Sequence, residues 1–159
     1  MQFPDYPFAP QRFEVRPGVA MSYLDEGPKD GEVIVMLHGN PSWSFYWRHL
    51  VNGLKDRYRC IVPDHVGMGL SARPDDAPSA SATYDYTLQS RIDDVDALLR
   101  HLGIDGPVTL AVHEREIVAL LGNLAAHGGS LLRKVEQPHD LVARKAFDAK
   151  QMAMGKGEF

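Results

Sequence analysis

Five consecutive apolar residues, Val33-Ile34-Val35-Met36-Leu37, run directly into His38-Gly39-Asn40-Pro41, and this junction constrains the fold more than any other stretch of the chain. A strand with one wet face alternates apolar and polar residues. An unbroken apolar run of this length, preceded by the turn formers Gly27-Pro28-Lys29-Asp30-Gly31, reads instead as a strand buried on both faces, as in a parallel sheet covered by helices. Such a sheet needs crossover helices, and the flanking sequence supplies candidates.

Between Ser44 and Leu54, Phe45, Trp47, Leu50, Val51 and Leu54 fall mostly three or four residues apart, which predicts an amphipathic helix. Arg59 to Pro63 is the next short buried strand, and Asp64-His65-Val66-Gly67-Met68-Gly69 a glycine-rich loop leaving its carboxyl end. Thr87 to Leu102 places Leu88, Ile92, Val95, Leu98, Leu99 and Leu102 on one helical face, with Gly103 suited to a left-handed terminus. Pro107 to Val112 reads as a further strand. Upstream, Phe13 to Val15 and Ala20 to Asp25 flank Pro17-Gly18 and predict an opening hairpin. The order strand, helix, strand, helix, strand predicts an α/β fold with a mostly parallel sheet.

After His113 the character of the chain changes. Twelve of the fourteen aromatic residues precede it, whereas four of the six lysines lie in the last 46 residues. The chain therefore divides into an α/β portion, residues 1–113, and a divergent tail, residues 114–159. Helix-like pieces over Ile117 to Ala126 and Leu141 to Met154, broken by Gly128-Gly129 and Pro138, predict a helical tail without a clear buried strand.

A length of 159 residues suits one domain, and 44% hydrophobic with 24% charged residues is ordinary for a soluble protein. The net charge of −4 gives nucleic acid or an anionic membrane no basic face to bind, so neither is expected as a partner. No apolar run approaches the length of a membrane span, about 18 residues or more, and the N-terminus lacks the pattern of a secretory signal; a cytoplasmic location is expected. Cys60, the single cysteine, lies in the apolar run Cys60-Ile61-Val62 and is expected to pack as a small hydrophobe.

Backbone N–H groups of His38-Gly39-Asn40-Pro41 emerge where a buried strand gives way to a helix, a place suited to stabilising developing negative charge. Taken alone, the stretch reads equally as an ordinary turn. The longer string His38-Gly39-Asn40-Pro41-Ser42-Trp43-Ser44-Phe45-Tyr46-Trp47-Arg48 closely resembles a segment of the haloalkane dehalogenases. Asp64-His65-Val66-Gly67-Met68-Gly69-Leu70-Ser71 and Tyr84-Asp85-Tyr86-Thr87-Leu88 resemble later signatures of the same branch. Phe3-Pro4-Asp5-Tyr6-Pro7-Phe8 and Leu24-Asp25-Glu26-Gly27-Pro28 are most similar to the β-lactone decarboxylases of bacterial olefin biosynthesis, within the α/β-hydrolase superfamily.

That resemblance implies a partial α/β-hydrolase fold and carboxylate-nucleophile hydrolysis of a small apolar halide, epoxide or β-lactone, with no cofactor. It implies that Asn40 steadies an anion through its side chain and backbone N–H, and that His38, Gly39, Pro41 and Trp43 line the site. The family's nucleophile elbow carries aspartate, tryptophan and two glycines, where this chain has Glu114, Arg115, Glu116 and Ile117. Glu114 keeps a carboxylate at the nucleophile position but moves it outward by a methylene, and the bulky residues after it do not suit the sharp turn. The family's cap, catalytic histidine and second half-sheet have no counterpart; His127 and His139 read as ordinary exposed histidines. A truncated relative without turnover is expected, or alternatively a non-catalytic interaction or oligomerisation module on half a hydrolase scaffold, self-associating through an exposed sheet edge unless the tail covers it. His38, Asp64, His65 and His113 could gather at one sheet edge, but without a close-spaced ligand pair no metal site is expected.

Overall fold

The computed structural model describes residues 3–74, 84–113 and 132–136, the last as backbone alone. Strands β1 (Gln11–Arg16) and β2 (Val19–Glu26) form the expected antiparallel hairpin. They are followed by β3 (Val33–Leu37), a 3-10 turn (Ser44–Trp47), α1 (Arg48–Leu54), β4 (Arg59–Pro63), α2 (Leu88–His101) and β5 (Val108–Val112). The segment read as one helix from Ser44 to Leu54 is thus a tight turn leading into a shorter α-helix. A sixth strand, β6 (Leu132–Glu136), completes a sheet of order β1-β2-β4-β3-β5-β6.

β3 pairs in parallel with β4 on one side and β5 on the other, while β2 pairs antiparallel with β4 and ties the hairpin to the sheet. The double burial inferred from the apolar run is realised residue by residue. Val35 and Leu37 join Ile92, Val95, Leu98 and Leu99 of α2 on one face. Ile34 and Met36 join Trp47, Val51 and Leu54 beside α1 on the other, so successive side chains of β3 fill opposite layers. Cys60 belongs to the second layer and is fully buried, where loss of solvation raises its thiol pKa to about 12 and leaves it a packing group.

Helix α2 begins where Thr87 Oγ1 accepts the Ser90 N–H at 3.2 Å, the side-chain capping that orphan helix donors require. It ends with the Gly103 N–H on the Arg100 carbonyl and the Ile104 N–H on the Leu99 carbonyl, Gly103 being left-handed as expected. Leu88, placed on the apolar face by its spacing, is instead 45% exposed. It is the first residue of the helix, beyond the part of α2 that packs on the sheet.

The tail departs from its sequence reading. It was expected to be helical, without a clear buried strand, and its one described segment, Leu132–Glu136, is a strand that pairs in parallel with β5. The partner strand supplies the ladder, and Leu-Arg-Lys-Val-Glu carries too little apolar periodicity to announce it. The helices read over Ile117 to Ala126 and Leu141 to Met154 lie outside the described residues. Among the described residues no helix is long and apolar enough to cross a membrane.

Candidate active site

The connection leaving β3 passes through α1 to β4 on one side, and the later crossover through α2 reaches β5 on the other. At such a switch point the loops beyond the strand ends diverge and leave a crevice, the usual ligand site of open α/β sheets. Two loops meet there: His38 to Trp43 beyond β3, and Asp64 to Ser71 beyond β4.

Buried side chains fix the first loop from behind. His38 is fully enclosed; its Nδ1 lies 2.9 Å from the Gly39 carbonyl, and its Nε2 accepts the His65 backbone N–H at 3.0 Å. An acceptor role at Nε2 places the ring proton on Nδ1, which donates to Gly39, so one histidine holds both loops. Asp64, also fully buried, does the same at the next position. Its Oδ1 accepts the Ser44 N–H at 2.6 Å and its Oδ2 the Leu70 N–H at 2.9 Å. Ser44 Oγ is 2.6 Å from the Tyr6 hydroxyl, which burial pushes up to about 12 and so keeps protonated. Ser71 Oγ donates to the Asp64 carbonyl and accepts the Ser22 N–H, fastening the second loop to β2. Gly69 is required at its position: a Cβ there would stand 2.5 Å from Asp64 Oδ2 and 2.7 Å from Trp43 Cβ, on a backbone with φ +53°.

In front of this support lies an open hollow of about 490 Å3, bordered by Asn40, Pro41 and Trp43 from one loop, Met68 and Leu70 from the other, and Phe3. Asn40 and Pro41, joined by a cis peptide, are exposed. Trp43 is half-buried, stacked on Phe45 with ring centroids 5.5 Å apart and edge-on to Phe3 at 5.0 Å. The hollow therefore has an amide at its rim and apolar walls, a combination that can orient one polar group of an otherwise apolar ligand.

Of the residues singled out in the sequence, Asn40, Pro41 and Trp43 border the hollow, whereas His38 and Gly39 lie buried behind it. Glu114 lies outside the described residues. His113 is exposed, with its ring 4.1 Å from that of Tyr46. Of the bracing residues, Asp64 was weighed only as a metal ligand, and Ser44 and Tyr6 were not singled out; the paired glycines of Gly67-Met68-Gly69 were the sequence's sign that something packs closely there. His38, His65 and Asp64 do converge, but both nitrogens of His38 and both carboxylate oxygens of Asp64 are engaged in hydrogen bonds. Among the described residues no group of three His, Cys, Asp or Glu is placed to hold a metal ion.

His65 supplies a measurable consequence. Its ring is 4.6 Å from that of His38, it is 1% exposed, and its Nδ1 has no hydrogen-bond partner among the described residues. Burial, with His38 and Arg91 adding to it, lowers its pKa to about 3. An unfolded histidine titrates near 6.5, so between these values the unfolded chain binds a proton that the folded chain refuses. The stability from His65 is complete above about pH 6.5 and drains as pH falls, by about 2 kcal/mol at pH 5. Urea melts at pH 7 and pH 5 should show that loss, and His65→Gln should flatten it. A His65 ring resonance that titrates near pH 6 in the folded protein would refute the assignment.

A family model described as the alpha/beta hydrolase fold matches residues 32–112. Over 114 residues the chain is 74% identical to a cis-3-alkyl-4-alkyloxetan-2-one decarboxylase of Xanthomonas campestris pv. campestris, covering 72% of this chain and 38% of that protein. Among solved structures, a haloalkane dehalogenase loop variant from Bradyrhizobium elkanii superposes with a TM-score of 0.68 at 30% identity, covering 82% of this chain and 39% of that one. One of the epoxide hydrolases found in metagenomes from hot environments gives 0.64 at 33% identity, with 81% and 40% covered. The chain spans about two-fifths of the length of these relatives.

Proposed function

The chain belongs to the α/β-hydrolase family, in its haloalkane dehalogenase and epoxide hydrolase branch, and from that premise we propose that residues 3–113 carry the anion-stabilising side of a site for carboxylate attack on a small apolar substrate. The observation that carries the reading is the contrast across one loop. His38 and Asp64 are fully buried and bonded behind it, while Asn40 stands exposed at the rim of an apolar-walled hollow. Donors held rigidly by a buried frame need no reorganisation when negative charge develops on the substrate, which is what makes such a group useful in catalysis.

A β-lactone is the favoured substrate class. Support comes from the 74% identity, over 114 residues, to a protein named for decarboxylating an alkylated oxetanone. Carboxylate attack on the saturated ring carbon next to the ring oxygen would break that carbon–oxygen bond, forming an ester to the protein and freeing the ring carboxylate, the new anion falling to donors such as Asn40. In this chain the attacking position belongs to Glu114, followed by Arg115, Glu116 and Ile117, and we expect no turnover by the 159-residue chain: the carboxylate is displaced by a methylene, and an error near 1 Å can cost about a hundredfold in rate.

The test separates binding from turnover. A cis-3,4-dialkyl-oxetan-2-one, an epoxide and a 1-chloroalkane of equal carbon number are titrated against the chain and against Asn40→Ala while tryptophan fluorescence is followed, Trp43 bordering the hollow. The lactone should bind best, weaken about tenfold in Asn40→Ala, and survive incubation unconsumed. Binding indifferent to Asn40, or a preference for the haloalkane, would overturn the lactone reading; lactone consumption would overturn the expectation of no turnover.

A further inference from the structure

The hollow beside Asn40 has a cation that the proposed reaction does not use. Arg73 borders the same cavity and is exposed. Its hydrogen bond is a long one, 3.4 Å from Nη2 to the Gly69 carbonyl, and among the described residues it makes no ion pair. Asp64, the described acid beside Gly69, spends both carboxylate oxygens on the Ser44 and Leu70 N–H groups. Asp5 lines a neighbouring hollow that meets this one at Phe3. One guanidinium and one amide thus share a rim, and the walls below them are Phe3, Trp43, Met68 and Leu70.

Guanidinium presents planar paired donors that match a carboxylate. A volume of about 490 Å3 lies in the range that accepts a small organic molecule rather than a bare ion. We propose that this hollow binds a single-chain amphiphile with a carboxylate head, Arg73 and Asn40 holding the head and the four apolar side chains the tail. The inference rests on reading Asn40 as an anion-binding group and adds the ligand's charge and shape.

Octanoate and its neutral counterpart octanamide are the probes, titrated against the full chain with Trp fluorescence as the signal; Trp43 lines the hollow, and the only other tryptophan, Trp47, is buried. Octanoate should bind saturably and at least about tenfold more tightly than octanamide. Arg73→Gln, a surface change, should abolish that preference without weakening octanamide. Equal binding of the two probes, unchanged octanoate binding in Arg73→Gln, or no saturable binding of either overturns the proposal. If Arg73→Gln is silent while Asn40→Ala still weakens the lactone, only the carboxylate site falls. If Asn40→Ala leaves the lactone unaffected as well, the anion-binding reading of Asn40 falls with it.

Discussion

Asp64→Ala is expected to cost the fold about 3–5 kcal/mol, because it strands two backbone donors whose acceptor is a fully buried side chain. Each hydrogen bond to a carboxylate is worth about 1.5–3 kcal/mol, and water cannot reach the Ser44 N–H to replace it. The loss is a large share of the 5–15 kcal/mol typical of a whole domain. Asp64→Asn should fall between the two proteins, since the amide keeps one acceptor and turns a donor toward the other N–H. Urea unfolding measures both variants. Amide exchange at Ser44 and Leu70 should accelerate in Asp64→Ala even under conditions where the sheet remains folded. A change below about 1 kcal/mol would mean that the two loops are held by something other than Asp64.

The second large effect is expected at Gly27→Ala. A Cβ at Gly27 would stand 2.1 Å from the Tyr58 carbonyl oxygen and 2.7 Å from that of Lys55, and the residue has φ +96°. Both obstacles are main chain, so no rotamer change relieves them. The β2 terminus and the segment between α1 and β4 must move apart, just where Arg59 grips the Asp25 carboxylate through two bonds of 2.9 Å. Left-handed backbone strain and overpacking together predict about 3–4 kcal/mol. Gly53→Ala is the control: nothing lies within 4 Å of its Cβ, it sits inside α1, and alanine there should stabilise by about 0.5–1 kcal/mol. Equal midpoints for the two variants would refute the steric account.

These two positions show where the sequence was legible and where it was not. The apolar run Val33 to Leu37 announced β3 because burial on both faces leaves no polar residue in the strand, and the spacing of Ile92, Val95, Leu98 and Leu99 announced α2, with Gly103 marking its end. Asn40, Pro41 and Trp43 were found through their place after a buried strand and through a family pattern. Asp64 was seen as part of a loop, but not as its brace, since its partners are main-chain N–H groups that leave no mark on composition. β6 was missed for a related reason: its edge is specified by β5. Tyr6 stands 38 residues before Ser44, and no local periodicity connects them.

The place of β3 in the sheet also bears on how the chain must assemble in time. Its pairing with β4 joins Ile34 to Cys60, whereas its pairing with β5 joins Ile34 to Thr109. The opening hairpin can form within microseconds, but the second partner of β3 is available only after α2 has been synthesised. A nascent chain therefore carries its most apolar strand with one side unsealed for as long as the ribosome takes to reach Val112. Aggregation or chaperone capture during synthesis would be concentrated in that interval, before the finished sheet withdraws the strand from contact.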